Sequence, residues 1–181
     1  EVSAWQGNAK VGKSPYLVAE ADESDGSLVK LKAHIGIITN IELDHPDHYA
    51  TLDEVVQIFH TFTDHCHHMV LCADCDTIQD RIMPTAANRP WTTYSLNPRS
   101  NADYLADDVI YGSAMTSATI YECGQRLGQL SVALLGCHNL SNALAAVAVG
   151  RLLGLSFETI SAALATFTGT RRRFELRGEV Q

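Results

Sequence analysis

The first part of the chain consists of apolar runs separated by more polar segments, in the order expected of an α/β protein. Residues 16–22 and 34–45 are apolar or β-branched runs that end in polar side chains. This pattern is typical of buried parallel strands. Residues 24–32, between the two runs, are long enough for a short helix. Strand, helix and strand in this order predict a βαβ unit within a parallel sheet.

A helix is predicted after the second strand. Residues 51–65 carry apolar side chains at helical spacing, namely Leu52, Val55, Val56, Phe59 and Phe62. Thr51 with Glu54 three residues later is a capping box, which predicts the first turn of this helix. Further along, residues 68–74 and 91–96 predict the third and fourth strands, with a short helix stopped by Pro84 between them.

The pattern changes after Arg99, where strand-like runs follow one another without helices. These runs are residues 103–112, 115–123 and 125–136. Turn residues separate them at Gly112-Ser113 and at Gly124-Gln125, which predicts an antiparallel meander. Two helices are predicted to close the chain, over residues 139–153 and 156–167. Gly154 ends the first of them, and Ser156 caps the second.

These elements predict an α/β fold, with a mainly parallel sheet flanked by helices and an added antiparallel meander. The 181 residues suit one domain. Within it we expect an α/β part over residues 1–99, antiparallel strands over 100–136 and C-terminal helices over 137–181. The chain begins with Glu1 and not with Met, and its end lacks a natural helix stop, so we expect an excised fragment.

Composition narrows the functional classes. Hydrophobic residues make up 46% of the chain, enough for a sizeable core. The net charge is −8, from 13 basic and 21 acidic residues, which disfavours nucleic acid or an anionic membrane as the main partner. The five cysteines are irregularly spaced, which favours a reducing compartment over a disulfide framework. No apolar run approaches the ~20 residues that span a bilayer.

The stretch from Gly7 to Ser14, GNAKVGKS, matches the phosphate-loop pattern G-x-x-x-x-G-K-[ST]. A working phosphate loop leads into a helix, whose first amides face the phosphates. Here Pro15 follows directly and pushes Ser14 away from helical dihedral angles, and a strand is predicted next. The context therefore favours a glycine-containing turn that leads into a strand.

Polar side chains lie at the predicted carboxyl ends of the first two strands. Glu20 follows the first strand, and Asp44 and His45 follow the second. Ligands of open α/β sheets bind off these strand ends, and Mg²⁺ prefers oxygen ligands that it can share with phosphates. A magnesium site is one interpretation, and ordinary loop polarity is the other.

Three further groups of residues suggest chemistry. His138, Asn139 and Asn142 lie at a predicted helix start, where side-chain amides could read a purine edge or Asn139 could cap the helix. The arginines at 171–173 suit phosphates, or form a solvated basic run. A zinc site is suggested by histidines and cysteines in one stretch: His65, Cys66, His67, His68, Cys72 and Cys75. Since Cys72 falls inside a predicted strand, we favour a buried apolar cysteine beside loop histidines.

Four motifs in a fixed order resemble the Mur ligases. They are VAEADESD at 18–25, TNIELDHPDHY at 39–49, GCHNLSNALAAVAV at 136–149 and FTGTRRRFE at 167–175. The family has a P-loop-NTPase-like central ATPase domain between a UDP-sugar-binding domain and an amino-acid-binding domain. The chain resembles the central domain after the family's own phosphate loop, so the resemblance implies that the other parts precede and follow it.

The resemblance implies ATP and Mg²⁺ (or Mn²⁺) as cofactors and assigns roles by matching position. Glu20 corresponds to a ligand of the Mg²⁺ between the β- and γ-phosphates, and His45 to a ligand of a second Mg²⁺. The adenine contacts correspond to Asn139 and Asn142, with His138 beside them. Arg173 corresponds to an arginine that reaches the ATP phosphates. No residue is assigned as general base.

Within the family, the sequence resembles the alanine-adding branch, because His60 stands in the region where several other branches carry a lysine. That branch joins L-alanine to UDP-N-acetylmuramate through an acyl phosphate, for peptidoglycan synthesis in the cytoplasm, without nucleic-acid or membrane partners. We expect this fragment alone to be inactive. The alternatives are a tripeptide-recycling, folylpolyglutamate or cyanophycin-type ligase, or a non-enzymatic nucleotide- or zinc-binding module.

Overall fold

The computed structural model describes residues 7–24, 26–85 and 89–169. Within them, six strands form one sheet whose spatial order follows the sequence. The strands are β1 (Ile35–Ile38), β2 (His68–Cys72), β3 (Trp91–Ser95), β4 (Tyr104–Tyr111), β5 (Thr116–Glu122) and β6 (Gln125–Val132). The α-helices of these residues are α1 (Leu52–His65), α2 (Cys137–Leu152) and α3 (Phe157–Ala165). A 3₁₀ turn at Ser27–Lys30 and a π-helical turn at Ile78–Ile82 complete the elements.

Strands β1 to β4 are parallel neighbours. Strand β2 is buried on both faces, since Met69, Val70 and Leu71 are all fully inaccessible to solvent. Helix α1 connects β1 to β2, and its predicted capping box is confirmed. Thr51 Oγ1 accepts from Glu54 N at 3.4 Å, and Glu54 Oε2 accepts from Ala50 N at 2.8 Å.

The antiparallel strands continue the same sheet. Strand β4 pairs in parallel with β3 and antiparallel with β5, which in turn pairs antiparallel with β6. At the turn between β5 and β6, Cys123 and Gly124 have φ angles of 48° and 78°. Two consecutive left-handed residues match the twist of a tight hairpin, so the predicted meander is confirmed.

Helices α2 and α3 pack on the sheet and on each other. Helix α2 contacts β2, β3 and β4, whereas α3 contacts β6. The predicted cap of α3 is confirmed, because Ser156 Oγ accepts from Thr159 N at 3.2 Å. Gly154, with a φ of 80°, follows the last turn of α2 and ends the helix as predicted. None of the helices in the described ranges is long and apolar enough to cross a bilayer.

The first predicted strand is wrong. Residues 16–22 form neither helix nor strand, and Leu17 and Val18 are 92% and 91% exposed. A strand exists only through pairing with a neighbour, and an apolar run cannot supply that neighbour itself. The second strand is also shorter than predicted, since β1 ends at Ile38. No helix begins at Ser14, in agreement with the turn interpretation of the GNAKVGKS stretch.

Candidate functional site

His45 occupies a tight turn after β1, with a left-handed φ of 56°. Left-handed conformations are uncommon outside glycine and cluster at functional sites. Three hydrogen bonds hold the turn. Asp44 Oδ1 accepts from His45 N at 2.8 Å, and the His45 carbonyl accepts from His48 N at 2.8 Å and Tyr49 N at 3.1 Å. The backbone around the imidazole is therefore fixed before any ligand arrives.

Two carboxylates converge on the His45 imidazole. Its Nε2 lies 3.6 Å from Glu23 Oε1 and 3.9 Å from Asp22 Oδ1. Each residue offers one ligand atom, and the three atoms lie within 4.8 Å of one another. The Glu23 side chain is 25% exposed, that of His45 35% and that of Asp22 67%. The group is thus open to solvent on the Asp22 side and can be reached by a cation.

The loop that carries the carboxylates is tied to the His45 turn. Asp22 Oδ1 accepts from Ser24 N at 2.7 Å, and the Glu23 carbonyl accepts from Gly26 N at 2.8 Å. The Tyr49 hydroxyl donates to the same Glu23 carbonyl, although the two residues are 26 positions apart. This long-range bond places the acidic loop beside the imidazole.

The structure brings together a different set of acidic side chains from the predicted one. Glu20 is exposed and is not a member of the group formed by Asp22, Glu23 and His45. Its role as a metal ligand stays a prediction. Asp22 and Glu23 belong to the same acidic run as Glu20, and that run is the sequence signal that could have led to them.

The predicted nucleotide residues lie in the first turns of α2. Gly136 caps this helix without a side-chain hydrogen bond, so the interpretation of Asn139 as its cap is wrong. Asn139 Nδ2 instead donates to the Leu135 carbonyl at 2.8 Å, which fixes this half-buried amide. Asn142 and His138 are exposed. The two asparagines are three positions apart, so they share one face of the helix.

A chain of contacts links the His45 turn to the start of α2. The Cys75 thiol lies 3.9 Å from the Ile41 carbonyl, in the segment between β1 and His45. Cys72 Sγ, at the end of β2, lies 4.0 Å from Ser141 Oγ in α2. The predicted metal ligand His45 and the predicted adenine contacts on α2 therefore both lie toward the carboxyl edge of the parallel strands, where ligands of such sheets bind.

Tyr94 lies beneath the first turns of α2. Its side chain is fully buried, and its hydroxyl has no hydrogen-bond partner within the described residues. Burial, followed by the nearby Cys72, raises the pKa of this phenol far above its usual range. Tyr94 is therefore neutral and buried beside Cys72 and Ser141.

The described cysteines do not form the suggested zinc site. Cys72 is buried, as predicted, and Cys75 contacts the Ile41 carbonyl. Over residues 7–24, 26–85 and 89–169, the one group of three or more convergent metal-ligating side chains is Asp22, Glu23 and His45. The predicted phosphate contact Arg173 lies outside the described residues.

The family is decided by comparison with known proteins. Residues 7–150 match the Mur ligase middle domain. The chain belongs to the Mur ligase family. Its similarity to curated members extends over almost its entire length. It is 59% identical over 181 residues to the UDP-N-acetylmuramate–L-alanine ligase of Acaryochloris marina and 62% identical over 179 residues to that of Trichodesmium erythraeum. The chain spans 37% and 32% of the length of these two relatives.

Solved structures agree with the predicted α/β fold of a Mur ligase central domain. MurC of Thermotoga maritima, a UDP-N-acetylmuramate–alanine ligase, has a TM-score of 0.73 at 24% identity, over 88% of this chain and 35% of that one. MurF of Acinetobacter baumannii also has a TM-score of 0.73, at 19% identity, over 86% of this chain and 34% of that one. At these identities the likeness concerns the fold alone.

Proposed function

We propose that this chain is the ATP- and Mg²⁺-binding part of a cytoplasmic ligase that joins L-alanine to UDP-N-acetylmuramate for peptidoglycan synthesis. The observation that carries the proposal is 59% identity across the whole chain to a ligase named for this reaction. The proposal concerns the longer protein of which this chain resembles one part. It involves small-molecule substrates, and neither nucleic acid nor a membrane is a required partner.

The convergent group fits a hard divalent cation. Asp22 and Glu23 supply carboxylate oxygens, the ligands that Mg²⁺ and Mn²⁺ prefer, and His45 adds one imidazole nitrogen. When bound, the ion would neutralise charge on the nucleotide phosphates. The open Asp22 side leaves room for phosphate oxygens and water to complete the ligand shell. Glu20, by its matching position in the family, is a further candidate ligand.

In the proposed reaction, a carboxylate oxygen of the sugar's lactyl group attacks the γ-phosphorus of ATP, and ADP leaves. The alanine amine then attacks the resulting acyl phosphate and displaces inorganic phosphate, forming the amide bond and losing one proton. Phosphoryl transfer of this kind depends on positioning and charge neutralisation. The residues of this chain accordingly position ATP: Asn139, Asn142 and His138 at the adenine, and Arg173 at the phosphates. None of them serves as the base.

The test is alanine-dependent phosphate release by the intact ligase and its variants. Asp22→Asn, Glu23→Gln, Glu20→Gln and His45→Ala each remove one candidate ligand, and Asp47→Asn is the matched control on the His45 turn. We expect about 100-fold or larger losses for the true ligands and near-normal turnover for the control. Partial recovery at high Mn²⁺ would identify a weakened metal site. Normal turnover in both Glu23→Gln and His45→Ala would refute this site.

The substrate assignment needs separate assays of the unmodified enzyme. UDP-N-acetylmuramate with L-alanine should support phosphate release, whereas a tripeptide, or a folate with glutamate, should not. Turnover with one of the latter pairs alone would refute the alanine-adding assignment and leave the metal site standing.

A further inference from the structure

At the amino edge of the sheet, opposite the His45 turn, two histidines face each other across neighbouring strands. The ring centroids of His34 and His67 are 5.5 Å apart, with an interplanar angle of 41°. The pairing of Ile35 with His68 makes His34 and His67, one residue earlier, neighbours in register. Backbone bonds from His67 N to Ala33 O at 3.2 Å and from His68 N to His34 O at 3.1 Å fix both residues.

We propose that His34 and His67 form a two-imidazole site for a transition-metal cation of the Zn²⁺, Ni²⁺ or Cu²⁺ class. Both residues are exposed, so a cation can reach their ring nitrogens without entering the core. Imidazole is a preferred ligand of these metals and a poor one for Mg²⁺. The site therefore differs in selectivity from the carboxylate-containing group around His45.

The spacing of the rings suits chelation. A zinc–imidazole nitrogen bond is about 2.0–2.1 Å long, so two rings that share one tetrahedral or square ion have centroids roughly 4.5–5.5 Å apart. The observed 5.5 Å lies at the upper end of this range. Because the two strands already hold the backbones, little conformational freedom is lost when the ion binds.

The surrounding side chains leave these two histidines as the protein ligands. The neighbouring His68 is half-buried, and its Nε2 lies 2.9 Å from Thr92 Oγ1, so that nitrogen is engaged. Cys66 is buried, and burial raises the pKa of its thiol, which disfavours the thiolate that metals bind. Water would fill the remaining coordination positions, as expected for an open surface chelate.

The test is metal binding by the intact, chelator-treated protein, with all variants compared at one pH of about 7.5 because metal affinity depends on pH. All variants are made in a His45→Ala background, so that the carboxylate-containing group does not contribute. His34→Asn and His67→Asn remove one ligand each and keep a polar side chain. His60→Asn, at a half-buried position of α1 beside Thr85, is the control histidine away from the pair. Zn²⁺ affinity is measured by competition with a chelating dye, and Cu²⁺ ligation by electron paramagnetic resonance.

We expect each single substitution at the pair to weaken Zn²⁺ binding by roughly tenfold or more, because half of the protein ligands are lost. The double substitution should weaken Zn²⁺ binding only a little more than either single substitution does. The Cu²⁺ spectrum should show coupling to two nitrogens in the parent protein and to one in each single variant. Unchanged affinity in both single variants, or an equal loss in His60→Asn, would overturn the proposal.

Discussion

The guanidinium of Arg151, in α2, forms a bidentate ion pair with the carboxylate of Glu122, in β5. Nη2 lies 2.9 Å from Oε2, and Nε lies 3.3 and 3.2 Å from Oε1 and Oε2. Tyr104, in β4, donates its hydroxyl proton to the same carboxylate, and Arg151 Nη1 donates to the Leu155 carbonyl at 3.1 Å. Arg151 thus ties β5 to the turn between α2 and α3, and Tyr104 of β4 joins them through the same carboxylate.

This ion pair makes stability depend on acid pH. Hydrogen bonds from Arg151 hold the pKa of Glu122 below its usual range. The contribution of Glu122 is therefore complete above its unfolded pKa, about 4.3, and is lost as the pH falls through the lower folded value. We expect Glu122→Gln to lower the free energy of unfolding near neutral pH, by an amount that shrinks below about pH 4. Urea denaturation across this range measures the difference.

Arg151→Lys is the matched variant for the same pair, since it keeps the charge and loses the two-pronged geometry. At neutral pH, Arg151→Lys should lower the free energy of unfolding less than Arg151→Ala does. A pH-independent difference between Glu122→Gln and the parent protein would contradict the role of the charge.

Arg89 caps the carboxyl end of α1. Its Nη1 donates to the carbonyls of Thr63, Asp64 and Cys66 at 3.0, 2.6 and 3.1 Å. Cations at helix C-termini and charge-assisted hydrogen bonds are both stabilising. We expect Arg89→Ala to lower the free energy of unfolding by about 1–3 kcal/mol, as measured by urea denaturation. The exposed Arg99 provides the control: a loss in Arg99→Ala equal to that in Arg89→Ala would argue against capping.

Gly150 lets α3 approach α2 closely. A Cβ at this position would lie 2.7 and 2.8 Å from Cδ1 and Cγ1 of Ile160. Overpacking typically costs about 1–3 kcal/mol, against roughly 1 kcal/mol gained in helix propensity. We therefore expect Gly150→Ala to be destabilising in thermal or urea unfolding. Ile160→Val removes one of the two clashing atoms, so the double variant should lose less than the sum of the single losses. If the losses in free energy of unfolding simply add, the contact between position 150 and Ile160 does not limit packing.

Alanine substitutions of the two asparagines of α2 should distinguish an effect on ATP binding from an effect on the free energy of unfolding. Asn139 bonds the Leu135 carbonyl, whereas Asn142 is exposed. If both contact adenine, as proposed, either alanine variant should weaken ATP binding in the intact ligase about five- to tenfold. Only Asn139→Ala should also lower the free energy of unfolding, by about 1 kcal/mol. Isothermal titration and urea denaturation give the two readouts, and unchanged ATP affinity in Asn142→Ala would remove it from the site.

Local signals in the sequence predicted much of the fold. The caps at Thr51 and Ser156 were correct because each acts within one helical turn. Residues 16–22 were mistaken for a strand because pairing depends on a distant partner that no local pattern encodes. Likewise, Glu122 and Arg151 are 29 positions apart, and nothing near either residue indicates the other.

In the candidate site, too, local features were predicted from the sequence, whereas contacts between distant residues were not. A polar residue after β1 was predicted to face the strand ends, and His45 does meet two acidic residues there. Which acidic residues it meets depends on the Asp22 turn and on the bond from Tyr49 to the Glu23 carbonyl. That bond spans 26 positions, so it became visible only in three dimensions.

In the described residues, every strand of the sheet pairs with the strands that precede and follow it in the sequence. The antiparallel hairpins close short turns, over residues 112–115 and 123–124, whereas β1 and β2 are joined across residues 39–67. Short loops cost less closure entropy, and hairpins form within microseconds. During refolding, β4 to β6 should therefore assemble first and serve as the template on which β3, β2 and β1 are added in turn. The His45 turn, which follows the last strand to be added, would then be among the late parts of the site to form.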